Sequence, residues 1–233
     1  QGTQLSNLIS LSGDLKTLKK LKIVGVEPFE QALMQAEKTI NAHNQKTTFD
    51  IEFQGINDFI ENIDLRKYID TKGKVIVNAS LALHHIQSSD LRFNALKMVK
   101  SINPAAFILV EPNVDHFEPN FYRRFQNCYQ HFYAVFQVID KLNLSKDDKN
   151  AFKLFYGREI DDIIGKHEEN RFEKHEPAYR WIEKLKYSGF NLKTDFFSFP
   201  IETPHGLKID FQSEGFLGFS YGNETVLSII YAN

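Results

Sequence analysis

The stretch Lys22-Ile23-Val24-Gly25-Val26-Glu27-Pro28 indicates the fold class of this 233-residue chain. An apolar, β-branched run that is closed by an acid and a proline is typical of a buried strand in a parallel sheet. Apolar residues at helical spacing follow it, and similar strand-like runs recur at residues 74–78 and 105–110. Because strands and helices alternate, the sequence predicts an α/β fold in which helices cover a sheet.

The end of the chain shifts this pattern toward antiparallel pairing. Strand-like residues 215–221 and 225–231 flank the turn candidate Gly222-Asn223, and a further strand is predicted at 193–199. A mostly parallel sheet that ends in a C-terminal antiparallel hairpin is the methyltransferase variant of the doubly wound fold. The sequence therefore predicts that variant.

A helical insertion is predicted at residues 117–190, within a single domain that spans residues 1–233. Its first helix carries apolar residues at steps of 3 and 4, which is typical of a face buried in the core. That face comprises Phe121, Phe125, Tyr129, Phe132, Phe136 and Ile139. Further helices are predicted around 145–149, from 157 to 174 and from 177 to 187.

Composition and charge restrict the classes of function. The chain has 28 Lys and Arg residues against 30 Asp and Glu residues, a net charge of −2, which argues against direct nucleic-acid binding. Its one cysteine, Cys128, cannot form an intramolecular disulfide, as expected for a reducing compartment. No apolar run approaches the ~20 residues of a membrane span. We therefore expect a cytoplasmic protein without membrane contact.

Glu27 is a candidate ligand for a nucleoside. In doubly wound sheets ligands bind outside the carboxyl ends of the strands, where an acid can accept hydrogen bonds from ribose hydroxyls. The alternative is a solvated acid at the end of a strand, whose charge favours the start of the following helix.

Two further strand ends carry polar side chains. The stretch 77–86 leads from Asn-Ala-Ser into His84 and His85, and an imidazole can act as a general base near neutral pH. Adjacent histidines are expected to point in different directions, so that only one faces a ligand. Glu111 and Asn113 end the next strand, and with Arg123 or Arg124 they could bind a polar substrate or form a buried ion pair.

Several motifs can be set aside. Residues 218–222 match G-x-S-x-G, but no histidine follows them, which excludes a serine hydrolase of that chain order. Phosphate-binding glycine loops, H-E-x-x-H and paired C-x-x-C motifs are absent from the sequence. Since His167, His175 and Cys128 lack the spacing of metal ligands, the sequence predicts no metal site.

With these residues placed, the chain resembles the GRAS-domain family, which is best known from plants, and we expect a bacterial member. Residues 77–85 are similar to the family's Val-Asn-Cys segment with its downstream Leu-His, and residues 111–136 to its Glu-Asn strand end and aromatic helix. Residues 157–176 resemble its Arg-Val-Glu-Arg region, and residues 215–231 its terminal Ser-Ala-Trp region. Phe172, Lys174 and Ala232 depart from these motifs, which puts plant-type partner contacts in doubt.

The start of the chain also resembles the family. Gln1-Gly2-Thr3-Gln4-Leu5 is similar to the Gln-Gly-x-Gln-Trp that follows the family's first core strand. The resemblance implies that this strand and the N-terminal helical cap are missing from the sequence. Since a sheet without its central strand would expose two apolar edges, we expect the natural protein to continue upstream.

The resemblance implies a Rossmann-like class I methyltransferase fold and a ligand crevice at the carboxyl ends of the strands. The leading hypothesis is an S-adenosylmethionine-dependent methyltransferase-like protein that binds a small-molecule ligand. The cofactor-binding residues would be Gly2, Glu27, Asn57, Asp58, Asn78, Ala79 and Leu81. The catalytic residues would be His85 and Glu111, and the substrate-binding residues His84, Asn113 and Arg124.

Two rival functions remain open. The first is a non-catalytic transcription-regulatory or protein-interaction module, the role that GRAS domains have in plants, which would bind protein partners. The second is an enzyme with another nucleotide cofactor, because an acid after the strand of Glu27 would also suit a dinucleotide ribose.

Overall fold

The computed structural model describes residues 3–12, 17–44, 47–70, 72–194, 203, 206–212 and 215–233. The chain divides into two compact units, Gln1–Asp70 and Thr71–Asn233, which are described separately. Among the described residues, no helix is both long enough and apolar enough to cross a membrane.

The described residues of unit one form two parallel strands and two helices. The elements are α1 (Thr3–Ser12), β1 (Lys20–Val26), α2 (Glu30–Asn44) and β2 (Asp50–Ile56), followed by short 3-10 turns at Ile60–Asn62 and Leu65–Lys67. Strands β1 and β2 pair in parallel, with Gly25 opposite Gly55. Leu33 of α2 packs against both glycines, and a Cβ atom on Gly55 would crowd it, whereas a Cβ atom on Gly25 would crowd the ring of Phe53. The core of the unit is formed by Ile9, Ile40, Phe49 and Ile51, against which Leu18, Leu21, Ile23 and Phe53 pack.

The described residues of unit two form a five-stranded sheet. Its strands are β3 (Ile76–Ser80), β4 (Ala106–Pro112), β5 (Lys208–Gln212), β6 (Phe216–Tyr221) and β7 (Glu224–Ala232), and they lie in the order β3-β4-β7-β6-β5. Its helices are α3 (Ser89–Ser101), α4 (Phe121–Lys141), α5 (Lys146–Gly165) and α6 (Ala178–Tyr187), with 3-10 turns at Leu83–His85 and Glu168–Asn170. Strands β3 and β4 are parallel, and the other three pairings are antiparallel.

The α/β class and the terminal hairpin are confirmed, since β6 and β7 pair on either side of Gly222. The five-stranded sheet is mixed, with one parallel and three antiparallel pairings, whereas the sequence predicts a mostly parallel sheet. The strand predicted at 193–199 lies largely outside the described residues, although Leu192 bridges Ala232 beside it. The helix predicted at 157–174 belongs to α5 only as far as Gly165.

Strand β4 brings a carboxylate into the interior of unit two. Successive side chains of a strand point to opposite faces, so Phe107, Leu109 and Glu111 share one face. All three are buried, and β3 and β7 flank the strand. The apolar pattern of the strand therefore places Glu111 under the turn that follows β3.

The predicted core face of α4 is partly wrong. Phe132 and Ile139 are buried, but Phe121, Phe125 and Tyr129 are exposed. The buried face is offset by about one residue and includes the polar side chains of Arg124 and His131. Its members are Arg124, Cys128, His131, Phe132, Ala134 and Ile139. Aromatic spacing misidentified this face because the buried arginine satisfies its guanidinium with backbone carbonyls, which the sequence does not reveal.

Truncation of the centre of β4 should destabilise unit two. We expect Leu109→Ala to cost about 2–5 kcal/mol, because Leu109 is 0% exposed and its removal leaves a cavity. Fluorescence of Trp181, the sole tryptophan, reports on this unit during urea unfolding. The control Leu154→Ala changes a side chain that is 71% exposed and should leave the urea midpoint nearly unchanged. Equal midpoints for the two variants would contradict this packing.

The stability of unit two should fall in mild acid. Burial lowers the pKa of His131 to about 4, below its unfolded value of about 6.5. The unfolded chain therefore binds more protons between these values, so the contribution of His131 is complete above pH 6.5 and is lost toward pH 4. We expect His131→Phe to reduce the slope of unfolding free energy against pH by up to about 1.4 kcal/mol per pH unit. Urea unfolding at several pH values measures this slope. The control His167→Gln replaces an exposed histidine and should keep the slope of the parent chain.

Candidate functional site

A cluster of buried polar side chains lies where β3 and β4 end, and Glu111 is at its centre. Glu111 Oε1 accepts hydrogen bonds from the backbone N–H groups of Ala82 and Leu83, at 3.2 and 2.8 Å. Glu111 Oε2 lies 2.5 Å from Nδ1 of His84. Both carboxylate oxygens are therefore engaged by the turn that follows β3.

The shape of this turn depends on Leu81. Leu81 has a φ of 53°, a left-handed conformation that is uncommon for a bulky side chain. Its own N–H donates to the carbonyl of Val110 at 2.8 Å, and the next two N–H groups point to Glu111. The hydrogen bonds to the carboxylate thus offset a strained backbone conformation.

Two adjacent histidines meet a second carboxylate, that of Glu173. His84 Nε2 lies 3.2 Å from Glu173 Oε2, and His85 Nε2 lies 3.3 Å from Glu173 Oε1. The expectation that adjacent histidines point in different directions is therefore wrong. The 3-10 turn at Leu83–His85 sets their ring centroids only 4.0 Å apart, so both rings reach the same side chain.

The charges of this cluster are coupled. Burial alone would lower the pKa of His84, but the carboxylates of Glu111 and Glu173 raise it to about 9. Burial would raise the pKa of Glu173, but hydrogen bonds and charge from His84 and His85 hold it at about 2. At neutral pH His84 is thus an imidazolium between two carboxylates, and a protonated imidazole cannot act as a general base.

Arg92, which is fully buried, fixes the positions of both partners. Its guanidinium donates to the carbonyls of His84 and Ile86, at 2.6 and 2.8 Å. It also donates to the carbonyl of Lys174 and to Glu176 Oε2, both at 2.7 Å. One side chain of α3 therefore joins the histidine turn to the segment that carries Glu173.

A second histidine pair completes the buried cluster. Nδ1 of His116 lies 2.8 Å from Nδ1 of His175, and the N–H groups of His116 and Phe117 both donate to the carbonyl of His175. Burial lowers the pKa of both imidazoles well below their ordinary value, so they are neutral and one donates to the other. Arg171 adds a hydrogen bond to the carbonyl of His116.

In unit one, the predicted cofactor residues make local hydrogen bonds. Glu27 Oε1 accepts from the N–H of Phe29, and Asn57 donates to the carbonyls of Glu27 and Pro28. Asp58 Oδ1 accepts from the N–H of Phe59 and from a side-chain amide one turn later. These contacts shape the ends of β1 and β2. Gly2 lies outside the described residues, so these side chains do not by themselves define a fit to S-adenosylmethionine.

In unit two, the structure brings together some of the predicted site residues. His84, His85 and Glu111 belong to the buried cluster, whereas Asn113 and Arg124 have their side-chain hydrogen bonds with other parts of unit two. Asn113 Oδ1 accepts from the N–H of Ala178 at the start of α6, and Arg124 donates to the carbonyls of Glu118, Pro119 and Ile163. The cofactor candidates Asn78, Ala79 and Leu81 lie along the end of β3, where Asn78 accepts from the hydroxyl of Ser80.

Sequence reasoning missed five members of the cluster: Arg92, His116, Glu173, His175 and Glu176. Three of them lie in residues 171–177, a segment without regular secondary structure. A charged stretch that is typical of solvent-exposed chain instead contributes buried side chains. Since Glu173 is 88 residues from His85 in sequence, no short spacing could reveal the pair.

Comparison with known proteins identifies a family. Residues 1–200 match the profile of the GRAS domain family. Scarecrow-like protein 1 of Arabidopsis thaliana is 32% identical over 51% of this chain and 21% of its own length. Scarecrow-like protein 34 of the same plant is 27% identical over 83% of this chain and 33% of its own length. The chain thus spans a fifth to a third of these relatives, which support the family but not the expected bacterial origin.

Solved structures agree on the fold. A structure of SCL7 from Oryza sativa covers 100% of this chain and 71% of that chain, with a TM-score of 0.83 at 19% identity. The small RNA methyltransferase HEN1 covers 100% of this chain and 22% of that chain, with a TM-score of 0.50 at 12% identity. At such low identity these likenesses show the fold alone, which resembles a class I methyltransferase fold with a mixed sheet.

The leading functional hypothesis from the sequence is therefore wrong. The family match and the Scarecrow-like relatives do not support an S-adenosylmethionine-dependent methyltransferase-like protein that binds a small molecule. The likeness to methyltransferases lies in the fold, which does not imply their chemistry and carries no evidence for the cofactor. The match over residues 1–200 instead assigns this chain to the GRAS family.

Proposed function

We propose that this chain is a non-catalytic transcription-regulatory module that acts by binding another protein. The observation that carries the proposal is the aromatic face of α4, formed by Phe121, Phe125, Tyr129 and Tyr133. These residues recur every fourth position, and they are 56%, 44%, 65% and 56% exposed. Soluble proteins rarely expose a continuous row of aromatic side chains, and such a row commonly marks a surface that binds a partner.

The aromatic face is arranged before any partner binds. The rings of Phe121 and Phe125 have centroids 6.3 Å apart, and those of Tyr129 and Tyr133 are 6.2 Å apart. The guanidinium carbon of Arg124 lies 5.6 Å from the centroid of the Phe121 ring, while its nitrogen atoms bond to backbone carbonyls. Because neighbouring contacts restrain these rings, binding costs less side-chain entropy than on a mobile surface.

The chemistry of this face favours a protein partner. Phe and Tyr rings supply apolar area, and the tyrosine hydroxyls can hydrogen-bond at the rim, a composition that is typical of protein interfaces. A net charge of −2 provides no general attraction for a phosphate backbone. Regulation through a bound protein therefore suits the chain better than direct contact with DNA.

The buried cluster supports a non-catalytic role. Both carboxylate oxygens of Glu111 are occupied by internal donors, and His84 lies between two carboxylates. Neither side chain presents a free group to a substrate in this arrangement. The cluster stabilises the fold at the carboxyl ends of β3 and β4, the edge of the sheet where enzymes with this type of fold bind their ligands.

Removal of rings from the aromatic face should abolish regulation. With the chain fused to a heterologous DNA-binding domain in plant cells, we expect the fusion to change transcription of a reporter gene. The double variant Phe125→Ser/Tyr129→Ser should lose most of that change, since loss of one interface hot spot weakens binding by about 30-fold.

The control is Tyr187→Ser, which removes an exposed aromatic ring from α6. This variant should regulate the reporter like the parent, with all proteins expressed equally and folded by circular dichroism. A parent fusion that leaves transcription unchanged, or a double variant as active as the parent, would contradict the proposal.

A further inference from the structure

We propose that His84, His85 and Glu173 form a binding site for a divalent transition-metal ion such as zinc. The inference is independent of the aromatic face and of the regulatory role. Ligand atoms of the three side chains all lie within 4.8 Å of one another. Atoms that share a tetrahedral zinc ion with bonds of 2.0–2.2 Å stand roughly 3.4 Å apart, so small side-chain movements would complete the site.

The hydrogen bonding of His84 suits a metal ligand. Its Nδ1 lies 2.5 Å from Glu111 Oε2, which leaves Nε2 directed toward Glu173. A carboxylate on the far nitrogen commonly fixes the orientation of a metal-binding histidine and strengthens it as a ligand. The N–H groups of Ala82 and Leu83 hold Glu111 in turn, so the support for His84 is rigid.

Imidazole nitrogens from two segments of the chain surround the carboxylate of Glu173. Its buried Oε2 lies 3.2 Å from Nε2 of His84 and 3.5 Å from Nε2 of His175, and neither contact has the geometry of a hydrogen bond. The positive charge of His84 compensates this buried oxygen, and a divalent ion bound between the two side chains would take over that role. The backbone N–H of Glu173 donates to Asp162 Oδ1 at 2.8 Å, which fixes the residue independently of its side chain.

The site is open on one side. The side chain of His85 is 48% exposed, whereas those of His84 and Glu173 are 5% and 16% exposed, so an ion can enter past His85. A second set, Glu159, Glu173 and His175, also lies within 4.8 Å, but His175 is buried and its Nδ1 faces His116. The set that contains His85 is therefore the accessible one.

The donor atoms indicate the class of ion. Two imidazole nitrogens and one carboxylate favour zinc and neighbouring transition metals over Mg²⁺ or Ca²⁺, which prefer all-oxygen sites. Three protein ligands leave a fourth position for water. The bound ion would replace the protons that the imidazoles share with Glu173, and would link the histidine turn to residues 171–176.

Titration of the metal-free chain with zinc chloride at pH 8, followed by calorimetry, tests the proposal. We expect about one ion per chain, with affinity weakened at least 10-fold in His85→Gln and in Glu173→Gln. His167→Gln, which removes an exposed histidine elsewhere in unit two, should bind like the parent. Absence of zinc binding by the parent, or equal binding by His85→Gln, would overturn the site.

Cobalt(II) provides a measurement that requires no variant. Cobalt in a site with imidazole and carboxylate ligands should give the visible absorption bands of low-coordinate cobalt, and zinc should displace them. A cobalt spectrum identical to that of the ion in buffer would overturn the proposal. Neither readout depends on transcription or on α4, so failure of the metal site and failure of the regulatory role are distinguishable.

Discussion

The buried guanidinium of Arg92 is the contact on which the cluster of unit two depends. It joins the carbonyls of His84 and Ile86, which follow β3, to the carbonyl of Lys174 and the carboxylate of Glu176. Neither segment has enough regular secondary structure to fix its own position, so both depend on this bridge. Removal of one partner of a buried ion pair costs about 3–5 kcal/mol, because the other charge stays buried without compensation.

This arrangement agrees with the non-catalytic role that we propose for a chain with a methyltransferase-like fold. The carboxyl ends of β3 and β4 are where such folds bind ligands, yet Glu111 there bonds to the turn and to His84. Glu111 and His84 thus stabilise the fold, whereas catalysis would require their side chains to be free. The exposed aromatic side chains lie instead on α4, where the guanidinium of Arg124 lies against the ring of Phe121.

Much of the fold was predictable, because hydrophobic periodicity reports local structure. The β-branched runs of β1, β3 and β4 and the turn at Gly222 correspond to observed elements. The buried face of α4 was not predictable, since Arg124 and His131 occupy positions where apolar side chains are expected. Of the candidate site, the turn with His84, His85 and Glu111 was found, but Glu173 was not, because pairing across 88 residues depends on tertiary structure. The cofactor and substrate roles stay predictions.

A double-mutant cycle between Arg92 and Glu176 tests whether the guanidinium holds the cluster together. Arg92→Met, Glu176→Gln and the double variant are compared by urea unfolding. If the guanidinium and this carboxylate depend on each other, the two changes should be non-additive, with a coupling free energy of about 1–3 kcal/mol. The pair Arg92→Met and Leu154→Ala should be additive, because Leu154 lies on the exposed side of α5. Additivity of Arg92 and Glu176 within about 0.5 kcal/mol would contradict the claim that this bridge holds the cluster together.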